Sequence, residues 1–420
     1  SAPTAPTVTS LTTNDTTPTI SGTATVGTGE TLKVTVSGAT YTVTPSGGNW
    51  TLNLETATPS SGTLTALTNG TYSVTATVTN SVGTSTSDST SGELTIDTTA
   101  PTAPTVTSLT TNDTTPTISG TATVGSGETL KVVVSGATYT VTPSGGNWTL
   151  NLETATPSSG SLTALTTGNS YNVTATVTDA AGNATSDSTS GELTIDTTAP
   201  AAPTVTSLTT SSTTPTLTGT ATVGSGETLK VTVSGATYTV TPSGGNWSLN
   251  LATATPSSGT LTALTNGTYS VTATVTDAAG NATSDSTSSE LVVNTSAPTA
   301  PTVTSLTTND TTPTLTGTAT VGSGETLKVT VSGATYTVTP SGGNWSVDLG
   351  TATPSSGTLT ALTNGTYSVT ATVTNSVGTS TSDSTSGELT IDTTAPTAPT
   401  VTSLTTSSTT PTLTGTATVG

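Results

Sequence analysis

One stretch returns four times and sets what this chain can fold into. Glu93 to Pro104 reads ELTIDTTAPTAP, and close copies run Glu192–Pro203, Glu290–Pro301 and Glu388–Pro399. Their spacing of 98 or 99 residues is that of one small domain repeated in tandem. The chain therefore divides at 1–98, 99–197, 198–295 and 296–393, with 394–420 as the first two strands of a partial fifth repeat.

Apolar content alone leaves disorder open. Residues 3–100 hold 17 Leu, Ile and Val among 98 positions and no Phe, below the roughly 20% at which disorder becomes a live alternative. Pattern decides against it. Leu32-Lys33-Val34-Thr35-Val36 and Tyr72-Ser73-Val74-Thr75-Ala76-Thr77-Val78 alternate apolar with mostly hydroxyl-bearing side chains, the period of a half-buried strand. No segment carries a helical period, so the expected class is all-β.

Repeat 1 predicts strands at Thr7–Leu11 and at Thr17–Ala24, the latter broken by Gly22. A hairpin of Thr31–Ser37 and Thr40–Thr44 turns at Gly38-Ala39, and Trp50 opens a strand with Leu52 and Leu54 on the same face. Residues 55–70 read as irregular. Trp recurs once per repeat, at 50, 148, 247 and 345; a core anchor is the ordinary reading, and an exposed sugar-stacking ring beside Tyr41 the alternative. Leu67-x-x-Gly70-x-Tyr72 resembles the tyrosine corner of immunoglobulin-like sandwiches, whose phenol ties a turn back to the backbone. Repeat 2 has an extra residue within Thr166–Tyr171, expected to alter that turn alone.

These residues together carry a family resemblance. The DAAGN of Asp179–Asn183 after Tyr171–Val177, the Leu-x-x-Gly-x-Tyr corner, the Trp and the IDTTAPTAP joint are similar to the bacterial immunoglobulin-like repeats of giant surface adhesins, both biofilm-associated and repeats-in-toxin-type. The resemblance spans the whole chain. It implies tandem β-sandwiches of about 98 residues forming an elongated rod, in a secreted, cell-surface extender that projects an adhesive tip. It does not imply that the repeats are themselves adhesive.

Composition removes most chemistry. There is no Cys, His, Met or Phe, and the four basic residues, all Lys, face 23 acids for a net charge of −19. Disulfides, thiolate metal sites and imidazole bases are excluded, and nucleic acid is a poor partner for such a surface. Nucleophilic catalysis would need a Ser or Thr beside Lys33, Lys131, Lys230 or Lys328. Those lysines read as solvent-facing strand residues, so an enzyme is not expected. No apolar run approaches the roughly 20 residues that cross a bilayer.

The acids make more sense at the joints. In a seven-strand sandwich the strand ending at Val177 returns to the pole that receives the linker, as does the VGSGE turn ending at Glu128. Asp97, Glu128, Asp179 and Asn183 are therefore expected to meet as calcium ligands, completed by carbonyls and water. Asp196, Glu227, Asp277 and Asn281 repeat the set. Where the linker has Asp97 or Asp196, the next loop has Asp179 or Asp277; where it has Asn294, the loop has Asn375. Such joint change points to contact. By the same logic the residue two places before Ser1 is expected to be Asn, and the loop after Asp392 to read DAAGN.

Other acids look less functional. Asp15, Asp113 and Asp310 give way to Ser212 and Ser408, and Glu55 and Glu153 to Ala252 and Gly350, with no correlated change evident. Asp88, Asp187, Asp285 and Asp383 read first as turn-stabilising side chains and second as calcium ligands. The partners expected are the neighbouring repeats of the same chain and, in a rival fibre or surface-layer arrangement, other copies of it.

Overall fold

The computed structural model describes residues 1–419. It resolves into two compact units, Ser1–Pro200 with Thr276–Ala282, and Ala201–Val275 with Thr283 onward. No helix occurs among the described residues.

Repeat 1 shows the pattern that the other full repeats follow. Its strands are β1 (Thr7–Val8), β2 (Leu11–Thr13), β3 (Thr19–Thr23), β4 (Thr31–Val36), β5 (Ala39–Val43), β6 (Asn49–Asn53), β7 (Ser61–Gly62), β8 (Gly70–Tyr72), β9 (Val74–Thr79), β10 (Ser85–Ser87) and β11 (Leu94–Ile96). They form a three-stranded sheet β1-β3-β6, a five-stranded sheet β10-β9-β4-β5-β7 and a short sheet β2-β11-β8. The alternating side chains bury one face of each strand: Leu32, Val34 and Val36 on β4, Tyr41 and Val43 on β5, and Val74, Ala76 and Val78 on β9 pack with Ile20, Trp50 and Leu52 of the opposite sheet. The outer face keeps Thr and Ser, several of them paired across strands, as in Thr35 with Thr40 (3.0 Å) and Thr77 with Ser87 (2.8 Å). The edge strands β7 and β10 are only two and three residues long, which limits pairing with other chains.

The structure redraws four details of the sequence-based expectation. The first predicted strand, Thr7–Leu11, is two: β1 pairs antiparallel with β3, then the chain crosses so that β2 runs parallel to β11. Gly22 does not break β3. It sits opposite Trp50, and a Cβ there would lie 2.0 Å from Thr7 O and 2.7 Å from the indole, so only glycine admits the ring. The hairpin turns one residue early, at Ser37-Gly38, both with positive φ (45° and 86°), the turn whose twist matches paired strands. Residues 55–70 are not wholly irregular, since β7 pairs with β5.

Four separate cores result, one per full repeat, from Ile20–Ile96, Ile118–Ile195, Leu217–Val293 and Leu315–Ile391. In the partial repeat Thr400–Val401 pairs with Gly415–Thr416, and Val401, Leu404 and Leu413 are exposed. The tyrosine corner forms as expected, with Tyr72 Oη donating to Thr68 O (3.0 Å) and accepting from Thr68 N (2.9 Å). Repeat 2 absorbs its extra residue in this turn: Tyr171 Oη accepts from Thr166 N, five residues back, while the Tyr171–Leu193 register equals that of Tyr72 with Leu94.

Candidate functional site at the repeat joints

The first unit contains a complete joint, between repeats 1 and 2. The loop after strand Val173–Thr178 is closed by Asp179, whose Oδ1 accepts from Ala181 N (2.9 Å) and Asn183 N (2.8 Å). Its Oδ2 accepts from Asn183 Nδ2 at 2.8 Å. The same amide donates to Asp97 O in the linker at 2.7 Å, 86 residues away in sequence. A further main-chain bond runs from Asn14 N, in the polar corner of repeat 1, to Ala181 O (3.0 Å). Partial burial pushes the Asp179 carboxyl up, but the Asn183 amide and the N–H groups of Asn183, Ala181 and Gly182 outweigh it and hold the pKa below the usual aspartate value.

The expected ligands Asp97, Glu128 and Asp179 do line one groove, of about 340 Å³, together with Thr99, Pro101 and Ser126. Each acid is also engaged within its own turn. Asp97 Oδ1 accepts from Thr99 N (2.9 Å), and Glu128 Oε2 from Gly125 N (2.7 Å). Asn183 faces the joint with its nitrogen, which cannot ligate a cation while it donates. Among the described residues no three acids stand close enough to hold one metal ion. The second set behaves alike within the first unit: Asn281 Nδ2 donates to Asp277 Oδ2 and to Asp196 O, both at 2.8 Å, and Asn112 N donates to Ala279 O (3.1 Å). The Asp277 pKa is lowered for the same reasons, burial opposing and the Asn281 amide with three backbone N–H groups prevailing. Glu227 closes its own turn from Gly224 N at 2.7 Å.

In the second unit the joint between repeats 3 and 4 is built differently. Asn375 stands where Asp179 does, and Thr379 replaces Asn183. Asn375 Oδ1 still closes the loop, accepting from Val377 N (3.1 Å) and Thr379 N (2.9 Å), but its own Nδ2 donates to Ser296 O (3.1 Å). Asn80 of repeat 1 makes the equivalent bond to Ser1 O (3.1 Å). The corner differs too: Ser211 Oγ, rather than a main-chain N–H, reaches Val377 O at 3.4 Å. The exchange of Asn14-Asp15 for Ser211-Ser212 is therefore not uncorrelated, since it accompanies the change in the loop that the corner touches. Asp15 itself bonds Thr17 N (2.8 Å), and Ser212 bonds Thr214 N (3.2 Å) in its place.

Glu93 was not singled out by pattern, yet it is the buried acid of each repeat. Glu93, Glu192, Glu290 and Glu388 are 3–5% exposed. In each, Oε2 accepts from the first N–H of the long strand, Val74, Val173, Val271 or Val369, at 3.0 Å, and Oε1 has no partner. Its recurrence in all four joint stretches, where Glu55 is kept only as Glu153 and then lost to Ala252 and Gly350, is the signal that could have found it. Asp88, Asp187, Asp285 and Asp383 stabilise turns, each Oδ2 accepting from the Thr two residues on.

The aromatic alternative loses its platform. Trp50 is 1% exposed, donates from Nε1 to Thr7 O (3.1 Å) and is core; Tyr41 is equally buried. A groove of about 540 Å³ is lined by Trp247 with Thr206, Thr218, Thr220, Ser243 and Asn246, but at 2% exposure the ring offers a sugar no stacking face.

The bacterial Ig-like domain family matches residues 7–98, 105–197, 205–295 and 299–393. Among solved structures, the chain is 26% identical to a tetra-tandem repeat from the extending region of a large adhesion protein, covering 93% of this chain and 100% of that one, with a TM-score of 0.30. It is 24% identical to a structure from a 1.5-MDa bacterial ice-binding adhesin, over 66% of this chain and 91% of that one, with a TM-score of 0.26. No curated protein matches this chain in sequence.

Proposed function

This chain belongs to the bacterial Ig-like domain family, and from that premise we propose that it is a structural extender, the stalk of a secreted cell-surface adhesin that holds a distal adhesive domain away from the cell. One observation carries this: the loop of a following repeat is hydrogen-bonded to the linker and corner of the preceding one, through Asn183 to Asp97 O and Asn14 to Ala181 O. A string of independent cores becomes a strut only if its joints resist bending. Pro101 and Pro104 add to this by keeping the linker extended. The four lysines lie exposed on regular strands, so no nucleophile and base pair supports a catalytic role.

Calcium at the joint is the finer part of the proposal. The shared groove of Asp97, Glu128 and Asp179 supports it, and carboxylates released from their turns would supply the oxygen ligands a hard cation takes. Small-angle scattering of the full chain tests the stalk. A monomer whose radius of gyration far exceeds the roughly 22 Å of a 420-residue globule is expected; a compact particle or a concentration-dependent fibre would overturn the stalk in favour of a globular or self-assembling protein. Repeating the measurement with calcium and with chelator tests the metal: a profile that extends further with calcium supports it, and identical profiles leave the joint to its hydrogen bonds.

A further inference from the structure

We propose that each joint is locked by an amide key that needs no metal, and that the first and fifth residues of the incoming loop, not the linker's carboxylate, decide which linker carbonyl the key grips. This deepens the stalk proposal, but its geometry stands apart from it.

The key follows from what each side chain can donate. A carboxylate only accepts, so a loop beginning with Asp179 or Asp277 has no donor of its own to offer a linker carbonyl. The donor comes from the fifth position. Asn183 and Asn281 each place one amide nitrogen between the loop carboxylate and the first residue of the linker, Asp97 O or Asp196 O. A loop beginning with Asn375 carries its own amide. Its oxygen closes the loop as Asp179 Oδ1 does, its nitrogen is free to reach the linker, and the fifth position can be Thr379. The grip then falls two residues later, on Ser296 O. Asn80 with Thr84 makes the same choice in repeat 1. Asp pairs with Asn, and Asn with Thr, because either pair supplies one amide donor and one loop-closing oxygen.

The linker side chain stands outside this arrangement. Asp97 Oδ1 accepts from Thr99 N at 2.9 Å, and Asn294 Oδ1 accepts from Ser296 N at 3.1 Å. Both close the same small turn, and what the key holds is a main-chain carbonyl that any residue provides. The corner of the preceding repeat completes the match, Asn14 or Asn112 through a backbone N–H and Ser211 through its hydroxyl.

The chain has no Cys, so Thr42→Cys and Thr140→Cys, both exposed on the five-stranded sheets of repeats 1 and 2, would carry spin labels in the 420-residue chain. Pulsed electron paramagnetic resonance in excess chelator should give a single narrow distance peak. Asn183→Thr should collapse it into a broad distribution, Asp179→Asn with Asn183→Thr should restore a narrow one, and Asp97→Asn should leave it unchanged. Should Asn183→Thr unfold repeat 2, the double variant still decides, a narrow peak supporting the key and a broad one overturning it. The proposal also fails if Asn183→Thr matches the parent or if Asp97→Asn broadens the peak. A parent peak that is broad in chelator and narrows only with calcium would make the metal the lock, leaving the stalk itself to the scattering result.

Discussion

Glu93 and its three counterparts each bury a carboxylate where the chain passes from one sheet to another. Between Tyr72 of β8 and Val74 of β9 the ladder is interrupted, and the Glu93 carboxylate takes the Val74 N–H that would otherwise be orphaned. Burial pushes the Glu93 carboxyl up, yet hydrogen bonding, with the Val74 N–H as the bond formed at good geometry, prevails and lowers its pKa. Glu192→Ala should destabilise repeat 2 by about 1–3 kcal/mol, the cost of leaving a buried donor unpaired, read as a shifted midpoint in urea denaturation. Asp179 and Asp277 give a pH prediction. Both have folded-state pKa values below the ordinary 3.8, so the stability they contribute is fully present above that value and is lost as pH falls through their lowered pKa. Protection of the Ala181, Asn183, Ala279 and Asn281 amides relative to their intrinsic exchange rates should fall on acidification through that range, while protection in the Asn375 loop, which has no carboxylate, should hold.

At the scale of the element, two devices place the strands. The indole of each Trp fills the space that a glycine leaves on the adjacent strand, as Trp247 does over Gly219, where a Cβ would lie 2.0 Å from Thr204 O. Trp247→Ala should cost repeat 3 about 3–5 kcal/mol, and Gly219→Ala should also destabilise it, because a backbone oxygen cannot move aside as a side-chain tip can; thermal melts of the full chain would show an early transition in both. The tyrosine corner is the second device. Tyr269→Phe removes a phenol that donates to Thr265 O (3.0 Å) and accepts from Thr265 N (2.8 Å). A loss of about 1 kcal/mol is expected by chemical denaturation, in line with a partly exposed hydrogen-bonded group.

Across the whole molecule, four cores with no shared apolar cluster make the repeat the unit of unfolding. Pulling a single chain by its ends should give four discrete unfolding events of similar contour length. Trp247→Ala should weaken one of them and leave three, an outcome that a single cooperative domain would not show. Near-identity of neighbouring repeats also predicts that refolding from denaturant yields a swapped fraction independent of protein concentration, since strands of adjacent repeats share one chain. Single-molecule refolding would show it as occasional events of doubled length.

The residue pattern by itself determined the period, the all-β class, the buried face of every long strand and the tyrosine corner. Each depends on local alternation or on a short motif that reads the same in isolation. It also led to the pole where Asp97, Glu128 and Asp179 share a groove, because strand direction follows from the order of strands. Only the tertiary structure decided what those residues do there. Hydrogen bonding is directional and short-ranged, so whether Asp179 faces an ion or its own loop, and whether Asn183 offers oxygen or nitrogen to Asp97 O, depends on atoms brought together across 86 residues of chain. For the same reason the crossing of Thr7–Leu11 between two sheets and the burial of Glu93 escaped the pattern: both follow from which partner strand lies alongside, and alternation says only which face of a strand is apolar.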